Sequence, residues 1–444
     1  MSKENEILDK LKRIIDPDLG KDIVTLGFIQ DMKISDDGDV SFTCELTTPA
    51  CPVKEVFKKQ CEEATMELDW VKTVEVNLSA QEKKPQDDKP NGLSQVQAII
   101  AVGSCKGGVG KSTVATNLAF TLQKQGAKIG IFDADIFGPS LPTMVDAPFE
   151  GLFQDQGTGM ISPVDHPTGM KLMSFAYANP SKGPAIMRGP MVTNAIKQLL
   201  TGTAWGELDY LIIDMPPGTG DIQLTLSQII PITASVMVTT PQKISFIDVE
   251  KGIQMFDKMN VPVVAVVENM SYFKPDDHDT KYYIFGKGAK RKIVEQFGIE
   301  EAFEIPIDPA ITQCGDSGFP IVTQENDEHP IVEVYNAIGE SIVRSVSRII
   351  HGESTVPTVE FVAGQGIHYV FQDSDKFVNP AVLRRGCRCA HCINEFTGVK
   401  VLKDDSVPDD LIPTSITVMG NYAVNIQWSD GHDSIIPYKQ FDSV

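Results

Sequence analysis

The sequence predicts an α/β protein: a central P-loop NTPase-type domain with a mostly parallel sheet, flanked by a small α+β domain and a small β-rich metal-binding domain. Three observations carry this reading. Apolar, β-branched runs alternate with helical patterns through residues 95–350, the signature of right-handed βαβ units in a doubly wound sheet. A glycine-rich loop joins the first of those runs to the first helix. On either side the pattern changes, to a short domain at 1–80 ahead of a linker at 81–94, and to antiparallel strands around CRCAHC at 357–444.

Taken in order, residues 4–15 carry Ile7, Leu8, Leu11, Ile14 and Ile15 at helical spacing, and Asp16-Pro17-Asp18 stops the pattern. Strands are expected near 24–34 and 39–47, a helix over 53–67, and a strand from Val71 to Leu78. In ELTTPACPVKEVF, Cys51 precedes Pro52 at the expected helix start, where amide dipoles favour a thiolate. The opposing reading is a partly buried structural thiol. Cys44 on a strand and Cys61 on a helix read as packing residues. DPDLGKDIVTLGF and TTPACPV resemble the SufT-like domain of iron–sulfur assembly proteins over residues 1–80, and the resemblance implies a functional, cluster-handling role for Cys51. QEKKPQDDKPNG combines charge, two prolines and no apolar period, so residues 81–94 read as a mobile linker.

Residues 96–116, VQAIIAVGSCKGGVGKSTVAT, form a buried strand, a phosphate-binding loop and a helix start. Gly107, Gly108 and Gly110 permit close backbone approach to phosphate, and the N–H groups from Val109 through Thr113 face its oxygens. Lys111 reaches the β/γ-phosphates of ATP, and Ser112 meets Mg²⁺. Lys106 is a second cation beside a polyanion, which local charge compensation also explains. The form KGGVGKST resembles the deviant Walker A family of the nitrogenase iron protein, MinD, ParA and the Mrp group. That resemblance implies a homodimer in which Lys106 crosses to the partner's nucleotide.

KIGIFDAD ends a second buried strand in Asp133 and Asp135, at the carboxyl edge where a doubly wound sheet binds ligands. DADIFGPSLP resembles the family's switch I, which implies that Asp135 positions or activates the attacking water and that Asp133 organises Mg²⁺ and the loop; helix capping is the structural alternative. DYLIIDMPPGTGD places a third strand before Asp214, a Walker B candidate for Mg²⁺, and Gly218 resembles the switch II glycine that senses γ-phosphate. ASVMVTTP at 234–241 and PVVAVVENM at 262–270 supply further strands around a helix at 243–259. Asn269 resembles the family's adenine-reading asparagine and equally suits an Asx turn.

IMRGPM at 186–191 and the helix at 193–200 resemble the Mrp subgroup, in which many relatives carry CxxC after NMSYF. Here the chain reads KPDDHDTKYYIFGKGA, and Lys274, Asp276 and Asp277 offer no thiolate pair. With DMPPGTGDIQLTL and YYIFGKG, this departure resembles the plastid high-chlorophyll-fluorescence branch of the Mrp group over nearly the whole chain. The resemblance implies a slow ATP hydrolase that carries a labile [4Fe-4S] cluster from an upstream assembly scaffold to recipient apoproteins. Cys105 sits too tightly in its loop for an exposed cluster ligand, whereas Cys314 in DPAITQCGDSG is a candidate ligand or an isolated structural thiol.

Residues 330–349 read as an amphipathic closing helix. Beyond it, VEFVAGQGIHYVF and ITVMGNYAVNIQWSDGH read as short antiparallel strands. Between these strands CRCAHC sets Cys387, Cys389 and Cys392 in C-x-C-x-x-C order, and His432 follows in WSDGH. Three thiolates and one imidazole satisfy tetrahedral Zn²⁺ and leave no open position, which favours structural zinc over a cluster; His391 is the alternative nitrogen donor. The arrangement resembles the N-terminal zinc module of γ-butyrobetaine hydroxylases and the auxiliary domain of plastid-type Mrp proteins.

The formal charge of −21, from 60 acidic and 39 basic residues, disfavours direct nucleic-acid or anionic-membrane binding. No apolar run is long enough for membrane insertion, and MSKENEILDKLKRI has neither signal-peptide nor transit character. These features predict a cytoplasmic protein; one of the chloroplast stroma or another organellar matrix with its transit peptide removed reads the same. Three functions stand at this point: an ATP-dependent cluster carrier, a ParA/MinD-like positioning ATPase, and a nucleotide-gated scaffold whose only metal is zinc.

Overall fold

The computed structural model describes the chain except residues 1, 81–90, 150, 179–188, 219, 276, 289–293, 295–296, 300, 325–327, 353–355, 372–373, 390, 394–398, 421 and 443–444. Most of the expected linker, the first half of IMRGPM, and Asp276 therefore lie outside the described residues. The chain forms two compact units, one of Met1–Ala101, Ser112–Met215 and Pro309–Glu353, the other of Val102–Lys111, Pro216–Asp308 and Ser354–Val444.

In the first unit, β1 (Ile29–Ile34), β2 (Asp39–Leu46) and β3 (Thr73–Ala80) form a sheet with β2 central, antiparallel to β1 and parallel to β3. Along β2 inward and outward residues alternate, as they do on a half-buried strand. Its apolar side packs against the Lys3–Leu11 and Lys54–Met66 helices through Ile7, Leu11, Phe42 and Phe57. Ser2 caps the first helix by accepting from the Asn5 amide at 3.3 Å. The strand expected from residue 24 begins only at Ile29. Asp22 accepts from the Val24 and Thr25 amides and the Thr25 hydroxyl, and this local turn wins over β-propensity. Residues 91–94, counted as linker, are held: Leu93 is buried and the Gly92 amide donates to Thr201 O at 2.8 Å.

Five further strands follow: β4 (Val96–Gly103), whose last two residues belong to the second unit, β5 (Ile129–Asp133), the short antiparallel pair β6 (Val164–Asp165) and β7 (Lys171–Ser174), and β8 (Leu208–Asp214). β5 lies parallel to both β7 and β8, with Asp133 level with Ser174 on one side and Asp214 on the other. Every residue of β5 and β8 is buried, as parallel strands covered on both faces require. The Gly189–Gly202 helix extends the 193–200 expectation at both ends, and the Pro330–His351 helix opens with proline at its first turn and His329 as its cap.

The second unit holds parallel β9 (Ala234–Thr239), β10 (Val263–Glu268) and β11 (Ala302–Glu304), together with the Lys243–Lys258 helix. Within this unit the strands are ordered β11-β10-β9, and within the first β4-β8-β5-β7-β6. Two antiparallel sheets complete the unit: β12 (Thr358–Val362), β13 (Gly366–Phe371) and β14 (Ser374–Val378), then β15 (Pro413–Met419), β16 (Ala423–Trp428) and β17 (Asp433–Pro437). They share a core of Ile367, Tyr369, Leu383, Ile426, Trp428 and Phe441. No helix among the described residues is long and apolar enough to cross a membrane.

Candidate nucleotide and metal sites

In the second unit the loop after β4 is held from several directions. Gly108 and Gly110 have φ of +77° and +82°, left-handed values that favour glycine. A Cβ on Gly110 would lie 2.2 Å from Asn269 Nδ2, and that amide donates to Val109 O at 2.9 Å. Asn269 thus braces the phosphate loop through its side chain, an arrangement neither of its sequence readings contained. Ser104 Oγ donates to Lys106 O, and the Gly218 amide donates to Ser104 O at 2.9 Å. Gln223, which the sequence reading passed over, donates to Pro216 O and Pro217 O and accepts from the Gly220 amide. Its position in GDIQ, three residues after Gly220, is the capping pattern that could have marked it. Gly107 has nothing near its missing Cβ, and Lys111 is buried. Lys106 Nζ lies 2.8 Å from Asp248 Oδ2 in the same chain, and Lys251 approaches the other oxygen at 3.8 Å.

In the first unit Ser112 and Thr113 continue the helix that Lys111 opens. Asp133 accepts from the amides of Asp135, Ser140 and Leu141 and from Ser174 Oγ, all at 2.9–3.2 Å. Its carboxylate therefore gathers the 135–141 loop and meets the short Leu141–Met144 helix at its start. Burial, then the neighbouring Asp214, pushes Asp133 up to about 6. Asp214 is likewise buried, and its carbonyl accepts from the Ala134 amide. Asp135 is less buried, and its Oδ1 accepts from the Gly138 amide at 3.3 Å.

The cysteines divide sharply. Cys387, Cys389, Cys392 and His432 place one donor atom each within 4.8 Å of one another, and they alone form such a group of three or more among the described residues. His432 Nε2 is 3.4, 3.5 and 3.7 Å from the three sulfurs in that order. Tetrahedral zinc with Zn–S near 2.3 Å and Zn–N near 2.05 Å separates S from N by about 3.5 Å. Cys387 follows the Pro380–Arg385 helix, and His432 sits on the β16–β17 turn, where its amide donates to Asp430 Oδ1. His391 is exposed and outside the group. Arg384, buried, ties the two halves by donating to Asp430 Oδ2 at 3.0 Å and to Cys392 Sγ at 3.4 Å. Hydrogen bonding from Cys387 pulls the Cys389 thiol down, to about 4. The sequence reading missed Arg384 and Asp430, although RRGCRC and SDGH place them within a few residues of the ligands.

Cys51 is buried, which matches the second of its two sequence readings more than the first. The helix starts at Lys54 with Val53 as its cap, and burial of the Cys51 thiol pushes it up to about 11, away from the thiolate that a helix start would favour. Cys44 and Cys61 are fully buried in the same core. Cys105 is also pushed up to about 11 by burial, and Cys314 lies partly buried on the Pro309–Asp316 helix, outside any convergent group.

Three family models match in succession: "Iron-sulfur cluster assembly protein" over residues 4–78, "NUBPL iron-transfer P-loop NTPase" over 95–343, and "Gamma-butyrobetaine hydroxylase-like, N-terminal" over 351–440. The chain is 48% identical to the chloroplastic Fe-S cluster assembly factor HCF101 of Arabidopsis thaliana, with 100% of this chain and 83% of that protein covered. To the protein of the same name from Oryza sativa subsp. japonica it is 47% identical, over 99% and 82%. To the iron-sulfur cluster carrier protein of a Synechocystis strain it is 41% identical, over 78% and 99%.

Proposed function

We propose, from the premise that this chain belongs to the iron-transfer P-loop NTPase family, that it is an ATP-dependent carrier delivering [4Fe-4S] clusters to apoproteins. The observation that carries this reading is the succession of all three modules in one chain, aligned over 99–100% of its length with relatives named for iron–sulfur assembly. In this reading the cluster is cargo. Lys111 and the 107–113 backbone hold the ATP phosphates, Ser112 and Asp214 hold Mg²⁺, and Asp133 gathers the loop that presents Asp135 to the attacking water. Gly218 reports the γ-phosphate, Asn269 meets the adenine, and turnover is slow. Lys106 leaves Asp248 to complete the site of a second copy, so the working form is a homodimer.

The C-terminal Cys387, Cys389, Cys392 and His432 hold structural Zn²⁺, supported by sulfur–nitrogen separations that suit a tetrahedral ion. Cys51 and Cys314 are the cargo candidates; since each stands outside a convergent donor group, ligation recruits further thiols from the second copy or the client. The plant relatives, both named as chloroplastic, favour a plastid over the cytoplasm, and an import assay with isolated chloroplasts tests that placement.

A second reading, a nucleotide-gated scaffold with zinc alone, draws on the fact that the convergent thiol group is the closed four-donor one. Anaerobic reconstitution with iron and sulfide, with Fe, S and Zn counted per chain and Mössbauer spectra recorded, separates the two. Carrier function requires a diamagnetic [4Fe-4S]²⁺ signal that is lost in Cys51→Ser or Cys314→Ser while zinc stays. Zinc with no specific cluster leaves the scaffold. Lys111→Ala should abolish ATP turnover under either.

A further inference from the structure

The N-terminal domain meets the rest of the first unit along one loop. Thr48 Oγ1 accepts from Tyr210 OH at 3.0 Å, and Thr47 Oγ1 accepts from Ser347 Oγ at 3.0 Å. Lys54 Nζ donates to Gln125 O at 3.1 Å and to Pro49 O at 3.2 Å. Nearby, Arg348 donates to the Asp18 carbonyl and carboxylate at 3.2 and 3.3 Å. Residues on both sides of Cys51 are thus fastened to β8, to the Pro330–His351 helix and to the end of the Lys111–Lys124 helix. The space left at the seam, lined by Thr47, Thr48, Tyr210, Ser347 and His351 among others, is about 10 Å³, room for no more than a water. Cys51 is 8% exposed, and its amide donates to Thr48 O, so its turn is pinned by the residue that Tyr210 grips.

We infer that this seam is a gate: the docked 47–54 loop closes the Cys51 thiol off from solutes, and undocking of the N-terminal domain exposes it. The thiol packs into its own domain core, and its turn is held at Thr48, the residue that Tyr210 bonds across the seam. The inference concerns access to Cys51 whatever the thiol binds, and it stands apart from the cluster assignment.

The test is pulsed alkylation of the intact chain with N-ethylmaleimide, read peptide by peptide by mass spectrometry. Cys314, less buried than Cys51, serves as the reference, and Cys44 with Cys61 as the marker of an intact N-terminal core. In the unaltered chain Cys51 should react at least about tenfold more slowly than Cys314. Tyr210→Phe combined with Ser347→Ala should speed Cys51 by about tenfold while Cys44 and Cys61 stay unmodified. Arg348→Asp should do the same, and adding Asp18→Arg should restore protection. Rapid labelling in the unaltered chain overturns the inference. So does an unchanged Cys51 rate in variants whose 47–54 amides exchange faster, or labelling of Cys51 only together with Cys44 and Cys61, since its own core would then be the barrier.

Discussion

The two flanking domains each bring three cysteines, and they use them in opposite ways. In the C-terminal domain three sulfurs and one imidazole converge on a point, and a buried arginine neutralises part of their charge. In the N-terminal domain Cys44, Cys51 and Cys61 are as deeply placed, but they lie in an apolar core that keeps Cys51 protonated. Burial among converging donors suits a metal ion, whereas burial among hydrocarbons keeps a thiol from solvent. On the proposed cargo role Cys51 has to be reachable at some moment, and that role would need motion in the N-terminal domain where the proposed zinc site would not.

The largest effect that can break this contrast is loss of the metal seat. Cys387→Ser should remove bound zinc and unfold the 357–444 domain, because structural zinc contributes on the order of 10 kcal/mol to such small domains. Cys51→Ser should leave zinc at one per chain. Metal analysis with thermal denaturation checks both, and zinc retained in Cys387→Ser would erase the distinction.

Next comes the anchorage of the C-terminal domain inside the second unit, where Tyr422 OH donates to Asp257 Oδ1 at 2.5 Å. Burial pushes Asp257 up to about 6 from an ordinary 3.8. The folded state therefore favours the neutral acid: its contribution is intact below about pH 4 and is eroded as pH rises through about 6. Asp257→Asn should leave melting unchanged at pH 4 and gain up to about 3 kcal/mol at pH 7.5. Denaturation curves at the two pH values decide it; an equal change at both would assign the effect to packing.

Smaller again is Arg384→Leu. It should keep the four donors but make zinc ten- to a hundredfold easier for a chelator to extract, roughly the cost of losing an outer-shell partner. Glu67 sharpens the contrast from below. Lys10 and Arg13 hold this exposed carboxylate down at about 2, so it contributes above its unfolded pKa and loses that contribution only as pH falls through about 2. Glu67→Gln should leave the melting temperature within about a degree at pH 7, as screened surface pairs do.

What could be read from the chain alone follows the same division. The phosphate loop and CRCAHC are contiguous, so spacing exposes their chemistry, and the buried β-branched runs mark β4, β8, β9 and β10 directly. Asp248 beside Lys106, Asp257 beneath Tyr422 and Tyr210 against Thr48 are contacts between distant segments, and no local period announces them. The late start of β1 was hidden because Asp22 captures its neighbours' amides, a side-chain event that apolar patterning does not register. Of the two readings open for Cys51, a thiolate and a buried thiol, desolvation favours the second, since it outweighs a nearby helix end.

Strand β8 begins near Tyr210, which grips the N-terminal domain, and ends in Asp214, level with Asp133. The two side chains are four residues apart, so they share a face at a distance of about 13 Å. Thermodynamic linkage then runs both ways along one stiff segment. By whatever factor a nucleotide at the Asp214 end alters the docking constant at the Tyr210 end, docking alters nucleotide affinity by the same factor. Where that factor differs from one, undocking of the N-terminal domain alters nucleotide affinity without touching the phosphate loop.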